Sequence, residues 1–335
     1  MREAIERFRA AMHRAGLHPP EVIEPDGKLH RFASNGQRAD DAGWYVLHDD
    51  GMPAGAFGNW RTGVSETWRA HSGHPRTPAE DAMHRTRTEK VRRERAAKEA
   101  KRKAKARALA AALWKAATPA QADHPYLLRQ RVSPVATLRE IDGRTAAAIL
   151  GYTPRSRGKS LTGRLLVAPV KIGTTLSTVE LIDETGRKSA LFGGAKAGGF
   201  WAAQPLPAGD GLILLIGEGV ATILSAIEAT GHPGIAALSR NNLHAVAQGM
   251  RQRYPATQLV ILADLGHGQT DAEMAARSVG GVLAVPDFGA NPPDGATDFN
   301  DLRKARGLEA VRRAVAAARA PNTPLAPESG SGSRP

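Results

Sequence analysis

The chain has 335 residues, room for about two domains at roughly 150 residues each. Its 46 Lys and Arg outweigh 33 Asp and Glu, giving a formal net charge of +13, a balance that points to a polyanionic partner gripped through its phosphates. The chain has no cysteine, which excludes disulfides, thiolate nucleophiles and Cys-rich zinc sites, and its histidines are scattered, so the metal to expect is a hard ion on oxygen ligands, Mg²⁺ or Mn²⁺.

The first segment, MREAIERFRAAMHRAG, carries acidic residues and no apolar h-region, so it reads as an amphipathic helix and not as a secretory leader. Gly16 with Pro19 and Pro20 ends it. No apolar run of about 18 residues follows to serve as a membrane span, so no membrane partner and a cytoplasmic location are expected. Residues 21–70 change character and read as short strands, with turn signals at Asp26-Gly27 and Asp50-Gly51. Trp44, Tyr45, Phe57, Trp60 and Trp68 gather there. They are expected to form the core of a small sheet, and one or two rings on its surface could stack bases.

Residues 78–117 are rich in Ala, Lys, Arg and Glu with no internal Gly or Pro, which predicts a long helix starting near Thr77-Pro78. Arg92, Arg93, Lys101, Arg102 and Lys103 lie on it, either as a solvated linker face or as contacts to DNA phosphates. Beyond Pro119, the segments LTGRLLVAPVKI, LSTVELID and RKSALFG alternate like antiparallel strands, with a turn at Glu184-Thr185-Gly186. From Gly209 short apolar strands alternate with helices: GLILLIG, GIAAL, QLVILAD and GVLAVPDF are the strands, and one helix is expected to follow capping residues Asn241 and Asn242. That alternation predicts a parallel sheet flanked by helices. The resulting division is 1–77, 78–117, 118–208, 209–318 and a disordered tail at 319–335.

Ligands gather at the carboxyl ends of strands in such sheets. Glu218 follows the first of these strands and Asp264 the third, while Asp298 and Asp301 flank Asn300 in TDFNDL. Carboxylates drawn together from three segments repel one another and call for a cation. The alternative is that Glu218 only complements the start of the next helix. Gly158-Lys159-Ser160 is not a phosphate loop, because the glycine required five positions earlier is Thr153. GGAKAGGF follows no βαβ entry, and no Ser/His/Asp arrangement is evident at Ser239-Arg240.

IGEGVATILSAIEATG, VILADLGHGQTDAEMAARSVGG and TDFNDL, in that order, resemble the Toprim domain of phage- and plasmid-type primases related to bacterial DnaG. GRLLVAPVKIG and the following STVELIDETGRKSALFGGAKAGGF resemble the antiparallel subdomain that precedes it, so the similarity covers roughly residues 124–318. The resemblance implies an α/β Toprim-like parallel sheet, preceded by an antiparallel α+β subdomain and a small N-terminal β-rich domain. It implies a nucleotidyltransferase from a mobile element that joins ribonucleotides on single-stranded DNA, with Glu218 and Asp264 catalytic. Those two, with Asp298 and Asp301, are then the metal ligands, and Arg164, Lys188 and Lys196 are candidates for nucleotide or template phosphates. A replicative helicase is a plausible partner for a chain with no motor of its own.

Two departures stand out. The second Asp of the family's Asp-x-Asp falls at Gly266, with Asp298, Asp301 or Asp271 as replacements. The zinc module that begins such primases has no cysteines here, so residues 21–70 are expected to be a zinc-free counterpart that holds template DNA. Two alternatives follow: a non-catalytic Toprim protein that binds single-stranded DNA or a replication partner, and a Toprim nuclease.

Overall fold

A computed structural model describes residues 2–37, 40–49, 53–70, 78–206, 209 and 211–321. Asp50-Gly51, Thr77 and the tail beyond residue 321 lie outside the described residues. The chain divides into two units, Met1–Arg92 and Arg93–Pro335.

In the first unit, helix α1 (Arg2–Arg14) stops at Gly16, whose φ of +78° suits a residue without a Cβ. Four strands follow: β1 (His30–Phe32), β2 (Gly43–His48), β3 (Ala54–Asn59) and β4 (Ser65–Arg69), each antiparallel to the next. The period-2 alternation of β2 sends Tyr45 and Leu47 inward. Phe8 of α1 meets Tyr45, Phe57 and Trp68 edge-on at 6.2, 5.5 and 5.2 Å. Most of the aromatic cluster is therefore core. The turn at Asp26-Gly27 also forms: the Asp26 carboxylate accepts the Lys28 N–H, and Gly27 has a φ of +71°.

Helix α2 (Pro78–Ala116) runs across the boundary between the units. Arg92, Arg93, Lys101, Arg102 and Lys103 are exposed on it. Ala106, Ala110 and Leu113 are buried at helical spacing, so its last turns dock on the second unit.

That unit continues with β5 (Thr118–Pro119), α3 (Pro125–Gln130), β6 (Arg139–Asp142), α4 (Gly143–Leu150) and a small hairpin, β7 (Arg155–Ser156) and β8 (Lys159–Ser160). Strands β9 (Arg164–Ile172), β10 (Thr175–Ile182) and β11 (Lys188–Ala190) complete an antiparallel sheet in the order β11-β10-β9-β6-β5. The turn into β11 is held by Asp183, which accepts the N–H groups of Thr185 and Arg187 and the Arg187 guanidinium.

The last layer begins with β12 (Trp201–Ala202) and β13 (Ile213–Gly217), then α5 (Val220–Thr230), β14 (Gly234–Ala236) and α6 (Arg240–Arg253). It ends with β15 (Gln258–Leu262), α7 (His267–Ser278), β16 (Val282–Ala284) and α8 (Phe299–Ala316). The sheet order is β12-β14-β13-β15-β16. The last four strands are parallel, as the sequence pattern predicts, with α5 and α8 packed together on one face and α6 and α7 on the other.

Two expectations need correction. The sheet carries an antiparallel edge, β12, which is two residues long and leaves no periodic signal. Asn241 and Asn242 do not cap α6: the helix starts at Arg240, after Ser239. Asn242 is instead a buried bolt. Its amide donates to the carbonyls of Gly199 and Ala237 and accepts from the Gly198 N–H. Among the described residues, no helix is long and apolar enough to cross a membrane.

Candidate active site

Glu218 stands one residue beyond β13, and α5 starts two residues later. Asp264 stands two residues beyond β15, against the first turn of α7. A Cβ on Gly268 would come within 2.9 Å of the Asp264 Cβ, so the glycine lets the helix pass this close. Asp298 caps α8, accepting the Asp301 N–H at 2.8 Å and the Thr222 hydroxyl at 3.0 Å. The positive ends of three helices thus converge where three strand-end loops bring carboxylates.

Asp264 Oδ1 is buried and has no hydrogen-bond partner. Burial, with the neighbouring charges of Asp298 and Glu218, pushes the Asp264 carboxyl up to about 7. Asp298 is also pushed upward by burial, against the Asp301 N–H and the Thr222 hydroxyl, which favour its charge; the Asp301 carboxylate adds to the upward push. Asp301 behaves differently. Burial acts against its charge, but the Lys304 ammonium, at 2.9 Å, and the Thr297 N–H hold its carboxyl below the usual range. Asp301 therefore closes a capping pair with Asp298, and it is the carboxylate of the set already supplied with a cation.

An orphaned buried oxygen beside two further carboxylates suits a divalent cation. The three do not yet form a tight cage. Among the described residues, the trio of metal-competent side chains whose ligand atoms lie within 4.8 Å of one another is Glu24, Asp26 and His30, in the first unit. There the Asp26 carboxylate is already bound by His30 at 2.8 Å and by Lys28 at 3.1 Å.

The predicted cations separate clearly. Arg164 is spoken for: its guanidinium binds Asp123 at 2.7 Å and Glu140 at 2.9 Å. Lys196 binds Glu180 at 2.6 Å and the Leu238 carbonyl at 3.2 Å. Lys188 faces the carboxylates. Its Nζ would lie 3.9 Å from a Cβ added at Gly219, the residue after Glu218. The side chain is open to solvent at the cleft mouth yet ringed by protein atoms. That crowding disfavours its charge, but Tyr126, Glu180, Glu218 and Asp298 outweigh it and raise the ammonium above its ordinary value. Lys188 also lines a polar pocket of about 250 Å³ with Arg129, Thr222, Asp298, Asp301 and Lys304.

Three contributors escape the sequence reading. Thr222 orients Asp298. Asn300, buried, donates to the Gln130 carbonyl and to the Ser225 hydroxyl, which ties α8 to α3 and α5. Glu180 is 3% exposed, and its Oε1 has no hydrogen-bond partner. Only Asn300 had a signal, its place between the two acids of TDFNDL.

Residues 213–309 match the family model of the Toprim domain. This segment is a Toprim domain. The chain as a whole is 31% identical over 312 residues, 85% of its length, to a DNA primase TraC of Escherichia coli. It is 28% identical over 306 residues, 84% of its length, to a second Escherichia coli protein of that name. It spans 26% and 19%, respectively, of those two relatives. The Aquifex aeolicus primase, zinc-binding and RNA polymerase domains, aligns over 94% of this chain and 85% of that one at 12% identity and a TM-score of 0.39.

Inside the Toprim domain, Gly266 has φ +80° and ψ −136°, a conformation that L side chains rarely adopt. The missing second Asp is therefore built into the backbone as well as the sequence. Gly266→Asp is expected to cost about 1–2 kcal/mol of stability and to leave metal affinity unimproved. Chemical denaturation and Mn²⁺ titration would show this, and a variant that bound Mn²⁺ tenfold more tightly would contradict it. Asp271 pairs with Arg240 at 3.8 Å, whereas Asp298 is the largest of the charges acting on Asp264.

Proposed function

We propose that the chain is the catalytic part of a DNA primase, joining ribonucleotides on a single-stranded DNA template. The observation that carries this reading is the buried, unpartnered Asp264 Oδ1 at the strand-end cleft, with Glu218, Asp298 and Lys188 as its charged neighbours. Glu218, Asp264 and Asp298 are the residues to hold Mg²⁺ or Mn²⁺. Such an ion, when bound, neutralises charge on the phosphate under attack.

The chain's own groups do the rest. Lys188, Lys304 and Arg129 line the pocket beside the carboxylates and can hold the triphosphate. The 3′-hydroxyl of one nucleotide attacks the α-phosphate of the next, and pyrophosphate leaves. Arg164 and Lys196, already ion-paired, position strands and loops around the site in place of binding phosphate. Arg92, Arg93, Lys101, Arg102 and Lys103 offer exposed charge to the template backbone, a contact that weakens with salt. A replicative helicase is the further partner we propose.

The test is primer synthesis on single-stranded DNA with labelled ribonucleotides and Mg²⁺ or Mn²⁺. Short products from the wild type that fall at least about a hundredfold in Glu218→Gln are the expected result. Equal product from that variant would remove Glu218 from the site. Gly266 favours a second reading, a Toprim protein that binds single-stranded DNA without catalysis. Tight, salt-sensitive DNA binding with no product in either metal would favour it.

A further inference from the structure

The antiparallel sheet buries a carboxylate. Glu180, in β10, is 3% exposed, and an acid that deep in protein persists only beside a cation. Its Oε2 accepts from the Lys196 ammonium at 2.6 Å, while Oε1 has no partner. Lys196 belongs to the glycine-rich loop between β11 and β12. That loop lies close on β10: a Cβ on Gly194 would collide with the Thr178 side chain, and the Ser177 hydroxyl donates to the Ala195 carbonyl at 2.8 Å.

The Lys196 ammonium also reaches across to the Toprim domain, donating to the Leu238 carbonyl at 3.2 Å. Leu238 lies just beyond β14, and its N–H donates to the Glu218 carbonyl at 2.8 Å, beside the bond from Ala237 to Gly217. Three polar contacts thus run from Glu180 to the backbone of Glu218. The link between them, Leu238, has a φ of +64°. Among the described residues, three other than glycine have a positive φ, and of these Leu238 alone is buried. A Cβ disfavours that conformation, so it persists only where the surroundings over-determine it. Here the side chain is packed in the core, and the carbonyl and N–H are both bound.

We propose that Glu180 is a positioning residue of the metal site: through Lys196 and the backbone of Leu238 it fixes where Glu218 stands. The proposal rests on the reading of Glu218 as a metal ligand. Glu180 acts through other residues and is not itself a ligand. Partners behind a ligand set its orientation and with it the metal affinity. A buried carboxylate can also act at a distance by its charge, and the two roles predict opposite signs at Lys196. Charge alone makes Glu180→Gln bind a divalent cation more weakly and Lys196→Met more tightly. Positioning weakens both.

Mn²⁺ binding to the full chain would be read from the electron paramagnetic resonance of the free ion, without DNA or ribonucleotides. Glu180→Gln and Lys196→Met are each expected to weaken it about tenfold, and the double variant by no more than either alone. The double variant buries no unpaired charge, so it should fold where the Lys196 single variant does not. It carries the same distinction, since charge alone would leave it near wild type. Hydrogen exchange without metal should show the amides of residues 237–238 opening faster in these variants. Ser177→Ala, which frees the same loop and leaves the three contacts whole, should keep wild-type Mn²⁺ affinity. Tighter binding by Lys196→Met, wild-type affinity in Glu180→Gln or in the double variant, unchanged exchange, or an equal loss in Ser177→Ala would each overturn the proposal. Glu218→Gln is the reference. Were it to bind Mn²⁺ like the wild type, the reading of the site would fail and the positioning role with it; were it alone weakened, only the positioning role would fail.

Discussion

Asp264→Asn is expected to yield a protein that is more stable without metal and inactive with it. The native carboxyl titrates near 7, against 3.8 for an unperturbed Asp, because it is buried beside Asp298 and Glu218. The folded chain therefore keeps a proton that the unfolded chain has already released over that pH range. Stability contributed by this group is complete below the unfolded value and is lost as pH rises through the folded one. Above about 7 the native state carries a buried, unpaired negative charge. Asn removes that charge and keeps the shape. After allowance for partial exposure, the gain is on the order of 1–3 kcal/mol, several degrees of melting temperature for a protein of this size. The gain should vanish near pH 4, where the native Asp is protonated. Mg²⁺ should reverse the order by stabilising the wild type at pH 8 and the Asn variant little. Thermal denaturation at pH 4 and pH 8, with and without Mg²⁺, measures all four states. A wild type that is the more stable without metal at pH 8 would show that Asp264 has a partner supplying its missing bond.

The parallel layer was legible because its strands are short apolar runs separated by helix-length segments, a pattern with few other solutions. Glu218 and Asp264 were legible for the same reason: a polar residue directly after a buried strand has only the strand-end cleft to enter. The chemistry of the neighbours was harder to read. Arg164, Lys188 and Lys196 are alike as sequence, each a cation in or beside an antiparallel strand. Their difference lies in partners distant along the chain, Asp123 and Glu140 for one, Glu180 for another, and an open acidic cleft for the third. Asn242 was misread because an Asn near a helix start is usually a cap, and nothing local shows that a glycine loop at 198–199 returns to meet it. The N-terminal aromatics divide by register. A single-residue shift would exchange the faces of Trp44 and Tyr45, and only the pairing of β1, β2 and β3 fixes which ring is core.

Lys188→Ala should separate metal binding from nucleotide binding. Its ammonium is favoured by Glu180, Glu218 and Asp298, and it in turn helps hold the Asp264 carboxyl down. Removing it leaves the cleft more negative. A divalent cation should then bind as tightly as before or more so, whereas the nucleotide triphosphate loses a cation beside the carboxylates. The expected result is a fall of about a hundredfold in kcat/KM for primer synthesis, with Mn²⁺ affinity undiminished. The rate should also need higher pH to reach its plateau, because Asp264 loses the charge that opposes its protonation. Lys188→Arg keeps that charge and should restore the pH profile, but only part of the rate, since a planar guanidinium cannot reproduce the point contact of an ammonium. A merely structural lysine would behave otherwise: both variants would lose stability and metal affinity together, and the pH profile would stay in place.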